Sequence, residues 1–218
     1  MNRFKDAFCG GTLIAPQWVM TAAHCARKRL HVRLGEHSLN TQDGSEQEYR
    51  VVHTYVHPDY DPETVDNDIA LLKLSSPATL DKRVQLACLP KQGAPLPQDK
   101  LCTILGWGKE KHMAASGTEV LREAKVPIVD IKNCLEVYED YYITGNMFCA
   151  GYRRGRVDSC AGDSGGPLLC ETENRWHVFG ITSFGEGCGR RGKYGIYAKV
   201  PNYITWMEST MEDSSDVL

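Results

Sequence analysis

The stretch DSCAGDSGGPLLC, residues 158–170, decides how the rest of the chain is read. Ser164 follows Asp163 and is flanked by Gly162 on one side and by Gly165 and Gly166 on the other. Glycines there let backbone N–H groups approach a charge developing beside the hydroxyl, which larger side chains would block. A hydroxyl is a weak nucleophile near neutral pH, so it requires an adjacent base. That base in turn requires an acceptor that holds its tautomer and stabilises its cation. On its own, an Asp-Ser-Gly-Gly run is equally a turn, and the partners must come from elsewhere.

Two further segments supply them. TAAHC, residues 21–25, carries His24, and DNDIALLKL, residues 66–74, carries Asp68. A single histidine beside a cysteine is ordinarily a packed residue, and DND before an apolar strand is ordinarily a strand cap. Three such segments in the order His, Asp, Ser within one cysteine-rich chain point instead to nucleophilic hydrolysis.

Composition sets the frame for that chemistry. A chain of 218 residues buries a substantial core, as one large all-β domain or two smaller sub-domains. A formal net charge of -3 gives no general attraction for nucleic acid. No apolar run approaches the ~18 residues of a transmembrane helix, so no membrane span is expected. The nine cysteines, at 9, 25, 88, 102, 134, 149, 160, 170 and 188, are widely spaced and include no Cys-x-x-Cys pair. That spacing argues against a structural zinc site and for disulfides in an oxidising, extracellular compartment. The odd count leaves one thiol over, and sequence alone does not choose among the 105 pairings of eight cysteines. The opening residues, MNRFKDAFCGG, lack the apolar core of a secretory signal, which conflicts with that compartment.

Short β-rich runs punctuated by turn residues fill the chain: GTLIAPQWVMTAAHC, LHVRLGE, YRVVHTYVHP, IALLKL, KLCTILGWG, EVLREAKVPIV, PLLC, HVFGITSFG and YGIYAKV. Their spacing suits barrels or sandwiches rather than βαβ units. PNYITWMESTM, residues 201–211, reads as a helix opened by Pro201, with Tyr203, Ile204, Met207 and Met211 near one face. Residues 212–218 read as a frayed acidic tail, and PKQGAPLPQDK, residues 90–100, as the boundary between two halves.

From Cys9 to about Met207 these motifs resemble the chymotrypsin-like, or trypsin-fold, serine proteases. The resemblance implies an all-β domain over 1–211 made of two six-stranded Greek-key barrels, 1–90 and 101–200, with a C-terminal helix over 201–211. It implies His24 as general base and acid, Asp68 as its orienter and Ser164 as nucleophile. The N–H groups of Gly162 and Ser164 would form the oxyanion hole. The residue six before the nucleophile, Asp158, would lie at the base of the specificity pocket, with Ser159, Ser183, Phe184, Gly185 and Gly195 around it. A buried carboxylate there favours Arg or Lys in the substrate, since any other side chain leaves the charge unmatched. Phe184 replaces the tryptophan usual in that segment. Protein or peptide substrates and protein inhibitors are the implied partners.

The same frame implies the disulfides Cys9–Cys25, Cys102–Cys170, Cys134–Cys149 and Cys160–Cys188. Cys88 is left for a bond to an upstream pro-segment of a modular secreted protein. No cofactor is required, but two ion sites are implied. LGEHSLNTQDGSEQEY resembles a calcium loop, with Glu36, Asp43, Glu46 and the carbonyls of Ser38 and Thr41 as ligands. GEGCGRRGKYGIYAKV resembles the matching segment of vitamin-K-dependent clotting proteases, in which Tyr194 accompanies a sodium site of carbonyls near Arg190 and Lys193. The basic runs at 27–29, 153–156 and 190–191 read as solvated loops or as exosites for polyanions or cofactors. Active members of the family begin with a motif like IVGG well before the first cysteine, and only eight residues precede Cys9 here. The expectation is therefore a first barrel without its initial strand and an Asp163 without an amine partner. Two readings follow: an active endopeptidase, or a zymogen-like homologue that binds substrates or inhibitors without turnover.

Overall fold

The computed structural model describes residues 7–110 and 112–214, so the end of the expected tail, 215–218, lies outside the described residues. Strands β1 (Thr12–Ala15) and β2 (Trp18–Thr21) form a hairpin across Pro16 and Gln17. With β3 (His31–Leu34), β4 (Gln47–Val56) and β5 (Ala70–Leu74) they make a five-stranded antiparallel sheet in the order β1-β2-β5-β4-β3. The apolar run ALLKL takes the middle position, where burial on both faces suits a continuous hydrophobic strand. β4 instead alternates, which fits a strand with one face in water.

The second sheet has six strands: β6 (Leu101–Gly106), β7 (Arg122–Pro127), β8 (Met147–Ala150), β9 (Pro167–Thr172), β10 (Arg175–Gly185) and β11 (Gly195–Lys199). Their order is β7-β6-β9-β10-β11-β8. Two curled antiparallel sheets, five strands and six, are the all-β architecture expected. Two elements were not read from the sequence. One is β8, whose four residues MFCA are too short to show a period. The other is the seven-residue helix α1 (Ile131–Val137), opened by Asp130, whose carboxylate accepts the Lys132 N–H at 2.8 Å. The final helix α2 (Ile204–Asp213) starts later than expected, because Pro201 belongs to a 3₁₀ turn over Val200–Asn202.

One core cluster crosses between the sheets, joining Met20 and Leu71 of the first to Ile181 and Ala198 of the second and to Met207 of α2. Met20, Leu71, Ile181 and Met207 have no solvent exposure, and burying each contributes about 2 kcal/mol. This packing fixes the cleft between the sheets, where the segments bearing His24 and Asp68 meet the loop bearing Ser164. Four disulfides have the expected partners, Cys9–Cys25, Cys102–Cys170, Cys134–Cys149 and Cys160–Cys188. Cys88 is a half-buried free thiol whose N–H donates to the Trp176 carbonyl at 3.0 Å, while its carbonyl accepts the Val178 N–H at 3.0 Å.

α2 also sets the state of His57, whose ring packs on Trp206 and Tyr203 at centroid distances of 4.8 and 5.2 Å. Its Nδ1 accepts the Asp59 N–H at 3.2 Å, which requires that nitrogen to be unprotonated. Burial lowers the His57 pKa, against the opposing charges of Asp59 and Asp66. The unfolded chain then binds the extra proton more readily, so this contribution to stability is present above about pH 6.5 and is lost as pH falls. The melting temperature of the native chain is expected to drop between pH 7 and pH 5 by more than that of His57→Gln. Parallel curves for the two proteins would contradict this.

Candidate active site

His24 sits in a 3₁₀ turn, Ala23–Cys25, directly after β2, and the Cys9–Cys25 disulfide clips that turn in place. Asp68 immediately precedes the buried start of β5 and is 1% exposed. Its Oδ1 accepts the His24 backbone N–H at 3.0 Å, and its Oδ2 lies 2.7 Å from His24 Nδ1. The Ser183 hydroxyl donates to the same Oδ2 at 2.5 Å. A carboxylate with three donors is acceptor-only, so Nδ1 carries the proton and Nε2 is left with a free lone pair. The sequence placed Ser183 only in the pocket wall. A hydroxyl one residue before the aromatic Phe184 gives no signal that it reaches Asp68.

The loop over 158–166 holds Ser164 through its backbone. The Ser164 carbonyl accepts the Gly10 N–H at 2.7 Å, and the Gly165 and Gly166 N–H groups donate to Thr182 and Asp163 carbonyls at 2.8 and 3.0 Å. Gly165 has φ +81, and a Cβ there would lie 2.2 Å from Thr21 Oγ1, so only glycine fits this close approach. The N–H groups of Gly162 and Ser164 make no hydrogen bond among the described residues, unlike those of Asp163, Gly165 and Gly166. Two unengaged donors thus flank the Ser164 side chain. The Ser164 hydroxyl itself makes no hydrogen bond among the described residues, to His24 or otherwise; such contacts commonly tighten only when substrate is bound. Asp163 accepts the N–H of Gly108 on Oδ1 and of Cys160 on Oδ2, both at 2.8 Å, and burial raises its pKa against those two bonds.

Ser164 lines a cavity of about 210 Å³ together with Asp158, Ser159, Ser183, Phe184, Gly185 and Gly195. Asp158 lies within it, its Oδ1 accepting the Ser159 N–H at 2.8 Å and its Oδ2 the Gly189 N–H at 3.0 Å. Burial raises its pKa to about 6, offset in part by those hydrogen bonds, so its charge awaits a partner. The Ser159 hydroxyl pairs with Tyr197 Oη at 3.2 Å. A Cβ on Gly195 would come 2.6 Å from Asp158 Oδ1, so glycine at this position keeps the carboxylate open to the cavity.

A protein-family model described as Trypsin matches residues 1–207. Trypsin of Sus scrofa is 44% identical over 204 residues, covering 94% of this chain and 85% of that protein. Trypsin-4 of Rattus norvegicus is 42% identical over 206 residues, covering 94% and 81%. Serine protease 1 of Canis lupus familiaris is 43% identical over 204 residues, covering 94% and 80%. The chain belongs to the trypsin family. It is a serine protease domain.

The two loops that resemble ion sites are held by internal contacts. Glu36 Oε2 holds Arg33 Nη1 at 2.6 Å, and Glu36 Oε1 accepts the His37 N–H at 2.9 Å. Glu46 closes its own turn by accepting the N–H groups of Asp43 and Gly44 at 2.6 and 2.9 Å, and these bonds lower its pKa. Asp43 lies 3.6 Å from His37 Nδ1, and the Ser38 carbonyl accepts the Thr41 N–H at 3.2 Å. Among the described residues, Glu36, Asp43 and Glu46 do not come together as ligand atoms within 4.8 Å of one another. The loop meets these charges internally. In the other loop the Arg190 carbonyl accepts the Lys193 N–H at 3.1 Å, closing a turn. Tyr194 is buried, and its N–H donates to Tyr138 Oη at 3.2 Å.

Sequence reasoning also missed an aromatic ledge beside the pocket. Tyr141 lies nearly parallel to Phe184 at 6.3 Å, and Tyr138 meets Tyr141 edge-on at 5.2 Å. The Tyr-Tyr pair at 141–142 was the available signal, but it lies far in sequence from every catalytic motif.

Proposed function

We propose that the chain is an extracellular endopeptidase that cleaves after Arg or Lys through an acyl-enzyme on Ser164. The observation that supports this is the buried Asp68 accepting from His24 Nδ1, which leaves Nε2 available as a base. Ser164 Oγ attacks the scissile carbonyl carbon as its proton passes to His24 Nε2. The oxygen that becomes negative is met by the Gly162 and Ser164 N–H groups. Collapse breaks the C–N bond, and the leaving amine takes the proton from His24. Water then attacks the acyl carbon, again giving its proton to Nε2, and the acid product leaves as Ser164 recovers its hydrogen. Asp158 matches the guanidinium or ammonium of the residue before the scissile bond. Cys88, half-buried and unpaired, suits a disulfide to another segment or chain of the parent protein.

A second reading rests on Asp163. Its carboxylate lines a cavity of about 290 Å³ with two backbone N–H bonds and no ion pair among the described residues. An acid left this way favours a loop of low competence, in which substrates bind without turnover. An arginyl fluorophosphonate distinguishes the two. Stoichiometric labelling of Ser164 together with turnover of Arg-amide substrates is the expected result. No labelling at saturating probe would overturn the active reading.

A further inference from the structure

Two loops that are far apart in sequence, residues 152–157 and 186–193, are stitched together by their backbones. The Arg156 N–H donates to the Gly189 carbonyl at 2.8 Å, and the Gly192 N–H donates to the Arg153 carbonyl at 2.8 Å. Gly155 is wedged between them, where a Cβ would lie 2.4 Å from the Gly189 carbonyl and 2.8 Å from the Arg191 nitrogen. The result is a surface on which Arg153, Arg154, Arg156, Arg190 and Arg191 are all exposed, with Lys193 at its edge. The only carboxylate in the two loops on this side is Glu186, which pairs with Arg190 at 2.5 Å and with Lys193 at 2.8 Å. Arg153, Arg154, Arg156 and Arg191 form no ion pair among the described residues.

Crowding cations on two joined loops raises their mutual repulsion, and side chains on a stitched backbone cannot move far apart to relieve it. Arg156 even holds φ +79, a left-handed conformation that non-glycine residues rarely adopt. Arg154 lies over the Tyr152 ring, its guanidinium carbon 5.3 Å from the centroid, which orients it on the surface. Guanidinium groups bind tetrahedral oxyanions through paired N–H donors, where a lysine would offer only a point charge. The chain as a whole carries a net charge of -3, so the attraction is local to this face.

We propose that this surface binds a linear sulfated polysaccharide, the arginines of the two loops spanning successive sulfate groups. Sulfate polymers are favoured over acidic polypeptides because arginine predominates and because the disulfides place the chain in an oxidising, extracellular setting. The surface includes the loop whose Gly189 N–H donates to Asp158 at 3.0 Å.

The test is binding of a heparin decasaccharide to the full chain, followed by fluorescence anisotropy across a series of sodium chloride concentrations. The variant Arg153→Gln/Arg154→Gln/Arg191→Gln is expected to bind at least about tenfold more weakly at low salt. Each neutralised charge on a single-stranded polyanion contributes a slope of about 0.7 in log K against log salt, so the slope should fall by roughly 2. The control Arg27→Gln/Lys28→Gln/Arg29→Gln removes as much charge elsewhere and should change affinity less than about threefold. Equal losses in both variants, or none in the first, would overturn the proposal. So would poly-glutamate of matched charge binding as tightly as heparin, since the partner would then be an acidic protein. Thermal melts verify folding, and the single variants Arg154→Gln and Arg191→Gln test the same trend if the triple variant does not fold.

Discussion

Replacing Ser164 with alanine is expected to lower kcat on an Arg-amide substrate by about 10⁶-fold, with the melting temperature unchanged. The loss is that large because the covalent step disappears rather than slows. Without the Ser164 hydroxyl His24 has no side-chain nucleophile to deprotonate, and the two free N–H groups at Gly162 and Ser164 face an oxyanion that no longer forms efficiently. At about 1.4 kcal/mol per decade, this corresponds to roughly 8 kcal/mol of transition-state stabilisation. His24→Ala should lose a similar amount, and the double variant should lose scarcely more, because both side chains act in one proton transfer. Stopped assays with each purified variant would check this. A Ser164→Ala chain retaining a hundredth of native activity would mean that another group is the nucleophile. Additive losses in the double variant would mean that His24 acts apart from Ser164.

The candidate catalytic groups were more legible in the sequence than the scaffolding that places them. His24, Asp68 and Ser164 each stood in a motif whose chemistry is local: a glycine-flanked hydroxyl, a histidine at a clipped turn, an acid before a buried strand. The strands were legible where alternation or a continuous apolar run extended over five residues or more, as in β4, β5 and β10. β8 and α1 were not, because four or seven residues carry too little periodicity, and the Cys134–Cys149 disulfide anchors both. Ser183 on Asp68, Tyr141 on Phe184 and Arg156 on Gly189 are all contacts between segments distant in sequence. Such partners are set by how the sheets curl and pack, which no local pattern records. The carboxylates of the 34–49 loop illustrate the opposite case. Their resemblance to a calcium loop implied an ion shell, and Arg33, only three residues before Glu36, pairs with that carboxylate.

Asp158→Asn is expected to reduce kcat/KM on Arg and Lys substrates by roughly 30- to 5,000-fold, the cost of leaving one partner of a buried charge pair unmatched, while a neutral-residue ester loses far less. The pH dependence provides the sharper check. In the free protein, burial raises the Asp158 pKa to about 6, so below that pH the pocket becomes neutral and its attraction for a cation is lost. KM for Arg substrates should therefore rise as pH falls from 7.5 to 5 in the native chain and stay flat in Asp158→Asn. Any pH dependence that the two proteins share cancels in their ratio. Stability should move in the opposite sense. A carboxyl whose pKa is raised on folding contributes stability below its unfolded value near 3.9, and this is lost as pH rises through about 6. Asp158→Asn should consequently melt at a higher temperature than the native chain at pH 7.5, with the difference vanishing near pH 4. A variant both less active and less stable at pH 7.5 would show that Asp158 is a structural acid rather than a charge held in reserve for substrate. A protein that instead exchanges stability for activity at this one position has a pocket built around an unmatched charge, with the substrate cation as the missing half of its ion pair.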